Sequence, residues 1–173
     1  MRKYSAEEIL TARERRIEIY NLITKKYSMP FMVIRVNYPG REKNNELCNN
    51  IIQVINKILI YTFSDKIHCK AITYGAEGVL LYMVIDEDAY ALKRAAIDIE
   101  SRHILGRCVD IDVYNAQGDS IGRSDLGIGP RKCYLCDNAA HVCVRASRHS
   151  EEEVIQFIKN KYREYKENIH EML

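Results

Sequence analysis

The segment Leu105-Gly106-Arg107-Cys108-Val109-Asp110-Ile111-Asp112-Val113-Tyr114 does most to limit what this chain can become. Its β-branched residues alternate with carboxylates, a period that belongs to a strand. Successive side chains of a strand point to opposite faces, so Val109, Ile111 and Val113 line one face while Asp110 and Asp112 share the other. Acids placed so closely repel each other unless a metal, a basic side chain or a shared proton lies between them. Mg²⁺, held by one or two carboxylates and the phosphates of a substrate, suits that spacing. A pair of this form also occurs on the solvated face of an edge strand, so the neighbouring sequence must decide.

Ser5 and Glu8 have the S-x-x-E form of a capping box, which predicts a helix from there to about Tyr27, ahead of Pro30. Its stripe is Ile9, Ala12, Arg13, Arg16, Tyr20, Ile23 and Tyr27, in which two arginines interrupt an inward row. Their stems can cover the core edge, or their planar forks can enter a cleft that takes phosphate. Phe31 to Val36 reads as a central strand, and Pro39-Gly40 ends it. Leu47, Ile51, Val54, Ile55, Ile58 and Leu59 form a second helical stripe. Ile67 to Tyr74 and Val79 to Ile85 read as a hairpin joined through Gly75-Ala76-Glu77-Gly78. Asp86 can cap a third helix with Ala89, Leu92, Ala96 and Ile99 on its buried side.

From Phe31 onward the predicted order is strand, helix, strand, strand, helix, strand, the split βαβ arrangement of ferredoxin-like domains. The expected class is α+β: an antiparallel sheet covered on one face by two helices, with extra N- and C-terminal helices packed around it. A nucleotidyltransferase-like mixed sheet carrying the same acids is the alternative. Ser150 and Glu153 form another capping box, so the C-terminal helix starts at about 150 and carries Val154, Ile158, Tyr162, Tyr165 and Ile169 on one side, the last of these outside the described side chains.

At 173 residues the chain is expected to form one domain, 1–173, able to bury a core without covalent staples. Its 26 lysines and arginines against 24 acids leave a formal charge of +2, which offers little general attraction to nucleic acid or an anionic membrane. No apolar stretch is long enough to span a bilayer and the first residues lack a signal-peptide core, so a cytoplasmic protein is expected. Six cysteines in that setting argue for thiols or metal ligands. Cys48, Cys69 and Cys108 read as small core residues. The others form Cys133, Cys136, Cys143 and His149, spaced C-x2-C-x6-C-x5-H within the segment 133–149. A structural zinc is one expectation there, with His141 as a substitute for His149; packing of the last helix onto the sheet is the other. The glycine-rich run before it carries Arg123, Arg131 and Lys132, three cations that could hold a polyphosphate whose metal sits on Asp110 and Asp112.

Gly106-Arg107-x-x-Asp110-Ile111-Asp112-Val113, then Arg123-x-Asp125, Pro130-Arg131-Lys132-Cys133-x-x-Cys136 and Cys143-x-Arg145, together resemble the CitX family of apo-citrate lyase phosphoribosyl-dephospho-CoA transferases. Leu10-Thr11-Ala12-Arg13-Glu14-x-Arg16 is similar to that family's R-[DE]-x-R helix, and Gly75-x-Glu77-Gly78 to its G-P-E-G hairpin. Val109 and Ile17 stand where the family commonly has a bulky aromatic and a glutamine, and Ala76 replaces the hairpin proline.

The resemblance implies a single transferase domain that moves phosphoribosyl-dephospho-CoA from 2′-(5″-triphosphoribosyl)-3′-dephospho-CoA to a serine of the acyl-carrier subunit of citrate lyase, releasing diphosphate. A separate enzyme would supply the donor. Asp110 and Asp112 would hold Mg²⁺, one of them also taking the serine proton, while Arg107, Arg123 and Arg131 would neutralise the leaving diphosphate and Arg13 and Arg16 would close the cleft. The same chemistry on another carrier, such as that of malonate decarboxylase, is an alternative. A non-catalytic RNA-binding module is the other, suggested by the sheet order, twelve tyrosines and a zinc knuckle. Near-neutral charge, acids on a strand and the lack of an aromatic RNP-like segment count against it.

Overall fold

A computed structural model describes residues 3–171, with side chains described through 168. The first strand, β1 (Phe31–Val36), lies at the middle of the sheet, and every residue in it except Arg35 is buried. A strand so apolar on both sides must be covered on both faces. It pairs antiparallel with β3 (Gly78–Ile85) on one side and β4 (Val109–Tyr114) on the other. Adding β2 (Ile67–Gly75) and the short β5 (Ser120–Ile121) gives the antiparallel order β2-β3-β1-β4-β5. The helices α1 (Ala6–Tyr27), α2 (Glu46–Phe63), α3 (Ala89–Arg102), α4 (Ala140–Arg145) and α5 (Glu151–Glu171) complete an α+β chain in which β1 to β4 follow the expected order.

Alternation along the strands divides the core in two. Met32, Ile34, Leu81, Met83, Ile111 and Val113 face α2, α3 and α5 and meet Ile51, Ile55, Leu59, Leu92 and Ile158. Phe31, Val33, Leu80, Tyr82 and Val84 face α1 and meet Tyr20. Each fully buried Ile, Leu or Met contributes about 2 kcal/mol relative to exposure, so the first cluster dominates stability. On the α1 side the rings of Phe31 and Tyr114 stack at 4.8 Å, with Tyr20 against Tyr114 at 4.7 Å.

Local chemistry sets the ends of these elements. Ser5 and Glu8 exchange the two hydrogen bonds of a capping box at the start of α1, and Ser150 and Glu153 do so before α5. Asp88, rather than Asp86, caps α3, its carboxylate accepting from the Ala91 N–H at 2.9 Å. Asp86 is engaged earlier, its backbone N–H donating to the Lys66 carbonyl at 2.8 Å, which holds it to the strand end. At the outer edge, β2 carries an irregularity in register between Ile67 and Cys69, and its Lys70 and His68 side chains are exposed.

A 3-10 turn over Gly106–Cys108 brings the chain from α3 into β4. A Cβ at Gly106 would lie 2.0 Å from the Ile99 carbonyl oxygen and 2.9 Å from the Glu100 backbone, so only glycine fits against the helix there. Gly106→Ala should therefore destabilise the protein by about 3 kcal/mol, read as a lowered urea midpoint with little change in slope.

Candidate active site

The register of β1 with β4 places Arg35 directly opposite Asp110 and Val33 opposite Asp112, all on the face turned toward α1. Arg35 Nη2 donates to Asp110 Oδ2 at 2.7 Å and its Nε reaches the same oxygen at 3.2 Å. Nη2 also lies 3.7 Å from Asp112 Oδ2, so one guanidinium bridges the two acids. Both carboxylates keep access to solvent, at 29% and 30% exposure. Burial raises the proton affinity of Asp112 above the ordinary aspartate value, and repulsion from Asp110 raises it further against the opposing pull of Arg35, Lys93 and Arg16. Arg35 by itself balances one of the two carboxylate charges.

Arg13 and Arg16 stand on α1 across from the hairpin of β2 and β3. Arg16 Nε lies 3.2 Å from Glu77 Oε2 and Arg13 Nε 3.8 Å from Glu77 Oε1, so the hairpin carboxylate gathers both arginines. Gly78 has φ +95°, and a Cβ there would come within 3.0 Å of Lys43. The glycine lets the loop after β1 close over the hairpin, and half-buried Lys43 joins the group. Burial, followed by repulsion from Arg35 and Arg13, lowers the proton affinity of its ammonium. A cleft of about 700 Å³ opens between α1 and the hairpin, bordered by Arg15, Arg16, Thr73, Glu77, Leu80 and Tyr82.

The other flank of β4 is built on Glu100, which is 4% exposed. Its Oε1 accepts from the Ile111 backbone N–H at 3.0 Å, and Lys93 Nζ donates to the Ile111 carbonyl at 3.3 Å, completing the ladder where β5 does not reach. Arg123 pairs with Glu100, and Arg131 reaches from Glu100 at 3.8 Å to Asp110 Oδ1 at 3.6 Å. Arg131 is further fixed by donating to the Gly106 carbonyl at 2.9 Å.

Among the residues expected at the site, Arg131 meets Asp110, Asp112 is joined to Asp110 through Arg35, and Arg13 and Arg16 gather at Glu77, beside a cleft that neither acid borders. Arg123 is one partner removed, through Glu100. Arg107 points toward the cysteine-rich segment, donating to the Lys132 and Cys133 carbonyls, the latter at 2.7 Å, with Tyr134 beneath its guanidinium at 6.0 Å. Lys132 is exposed and lies 3.4 Å from Asp137. Arg35, Lys43 and Glu100 were not expected. A lone arginine inside Phe31–Val36 was the one available sign, since a charge in a central strand needs a partner.

Cys133, Cys136, Cys143 and His149 form a second cluster whose donor atoms all lie within 4.8 Å of one another, a set that could hold a metal such as zinc. Cys136 Sγ is 3.4 Å from Cys143 Sγ and accepts from Asn138 Nδ2 at 3.4 Å. That side-chain hydrogen bond leads the influences that push the Cys136 thiol down to about 6. His141 is exposed and outside the set. Cys48 and Cys108 are buried as expected, and Cys69 is half-buried.

The sequence profile of the CitX family, described as apo-citrate lyase phosphoribosyl-dephospho-CoA transferase, matches residues 4–165. An Escherichia coli protein of that name is 32% identical over 148 residues, covering 84% of this chain and 81% of its own length. A probable transferase of the same name from Vibrio cholerae is 27% identical over 93% of both chains. Protein CitXG of Haemophilus influenzae is 30% identical over 91% of this chain, which spans only 35% of that longer protein. By these likenesses the chain is a transferase. It belongs to the apo-citrate lyase phosphoribosyl-dephospho-CoA transferase family. Among the described residues no helix is long and apolar enough to cross a membrane.

The crowding of Asp112 has a consequence for stability. A carboxyl whose proton affinity is raised by folding stabilises the native state most at low pH and loses that contribution as pH rises through its folded pKa. Asp112→Asn should therefore raise the urea midpoint at pH 7, and the advantage should shrink as the pH falls toward about 3.9, the ordinary aspartate value.

Proposed function

We propose that this chain, acting as one unit over 1–173, transfers phosphoribosyl-dephospho-CoA from 2′-(5″-triphosphoribosyl)-3′-dephospho-CoA to a serine of the apo-acyl-carrier subunit of citrate lyase. The serine oxygen forms a bond to the α-phosphorus, the bond from that phosphorus to the bridging oxygen of the β-phosphate breaks, and diphosphate leaves. The serine proton passes to one of the two neighbouring carboxylates, Asp110 or Asp112.

The observation that carries this reading is the Asp110–Arg35–Asp112 bridge on the same sheet face as the cleft beside Arg16 and Glu77. Arg13, Arg16, Arg35, Lys43 and Arg131 gather around Glu77, Asp110 and Asp112, so cations lie on several sides of the acids. A triphosphate is drawn to such cations, and guanidinium groups stabilise the charge that gathers on departing diphosphate. Hard oxygen donors on two neighbouring carboxylates also suit Mg²⁺, which Asp110 and Asp112 would hold. When bound it would polarise the phosphoryl group and neutralise charge on the triphosphate. In the soft cluster we assign zinc a structural role, because four protein ligands leave it no position for substrate.

The donor comes from a separate protein in this reading, and the acceptor brings its serine to the open side of the acids. Asp110→Asn and Asp112→Asn, with folding retained, should each lower the Mg²⁺-dependent mass gain of apo-carrier at least about 100-fold, and Arg35→Ala should do the same. Intact-mass spectrometry with the citrate lyase and malonate decarboxylase carriers side by side measures this. Full labelling by both aspartate variants would refute the assignment, and labelling of the second carrier alone would change the acceptor.

A further inference from the structure

Between Ile121 and Ile158 the chain has no apolar core of its own, since Cys133 and Cys143 are the only buried side chains in that stretch. It is nonetheless folded into a small hairpin. The Arg131 carbonyl accepts from the Ala140 N–H at 2.7 Å, the Cys133 N–H donates to the Asn138 carbonyl at 2.7 Å, and Lys132 bridges to Ala139. Neither a hairpin this short nor the six-residue α4 sustains itself in water. Something must staple them.

The hairpin sets Cys133 and Cys136 beside Cys143 of α4 and His149 just before α5. One imidazole nitrogen of His149 lies within 4.8 Å of the three sulfurs, and its Nε2 is buried. Three thiols and an imidazole are a tetrahedral zinc donor set. Tyr134 lies 5.3 Å from Phe157 of α5, which adds one ring contact to an otherwise polar junction.

The same hairpin reaches the acid pair. Arg131 is its first paired residue and extends to the Gly106 carbonyl and to Asp110, while Arg107 grips the carbonyls of Lys132 and Cys133 from the start of β4. We infer that zinc held by Cys133, Cys136, Cys143 and His149 clasps the hairpin and thereby sets Arg131 against Asp110, making the metal ligands positioning residues for the reaction centre. This rests on reading the soft cluster as a zinc site.

The full chain purified without chelator should carry about one zinc, and cobalt exchanged in its place should show thiolate charge-transfer and tetrahedral d–d bands. Removing the metal should weaken calorimetric binding of inorganic tripolyphosphate about tenfold. Arg131→Ala should lose the same amount with zinc in place, and stripping that variant should change its affinity less than about twofold, because the two losses share one contact. Should stripping unfold the chain, Cys136→Ser, which keeps three ligands, gives the same comparison. Protein without bound metal, or an Arg131→Ala variant that weakens on stripping as much as the parent does, overturns the inference. Failure of the zinc-loaded parent to release diphosphate from its donor would overturn the transferase reading instead, since metal content and tripolyphosphate binding do not depend on turnover.

Discussion

The arrangement depends on one guanidinium in the middle of a sheet. Arg35 breaks an otherwise buried strand, and a guanidinium, which cannot shed its proton, needs an anionic partner in such a setting. Its cost is offset because the neighbouring strand presents two carboxylates in register with it. The dependence is mutual: Arg35 is the cation that touches both acids, whereas Arg131 reaches Asp110 alone. A charge-assisted hydrogen bond of this kind is worth about 2 kcal/mol, enough to hold the register yet small enough for a polyanion with its own counter-ion to rearrange.

Around that bridge, distant parts of the chain meet because each is held by a partner. Glu77 draws two α1 arginines to the hairpin, and Glu100 ties the exposed flank of β4 to Arg123 and Arg131. Both glutamates are well buried, and each has more than one cation beside it. Those guanidinium groups are therefore already oriented before any ligand arrives, which lowers the ordering cost of binding.

Much of this was legible in the chain. Alternation at Val109 to Val113 located the acids on one face, and the order of apolar runs predicted β1 to β4 with the intervening helices, because both signals are local and periodic. The shift of the α3 cap from Asp86 to Asp88 shows where that stops: either aspartate can cap, and the Asp86 backbone is held by the Lys66 carbonyl just before β2. Arg35 and Glu100 stayed hidden for a related reason. Their roles come from strand register and from contacts across 75 and 11 positions of sequence, which spacing alone does not encode. Arg107, next to the acids in sequence, turns instead to the carbonyls of Lys132 and Cys133 in the hairpin, partners that spacing does not reveal.

One feature of the sheet bears on how the molecule lives among other chains. β2 leaves a row of backbone donors and acceptors open to solvent, the kind of rim onto which a stray strand can zip. The slipped pairing between Ile67 and Cys69 bends that rim, and the outward charge of Lys70 obliges any newcomer to desolvate an ammonium. A hairpin whose inner strand is wholly apolar can thus stand at the border of the protein without recruiting its neighbours into aggregates.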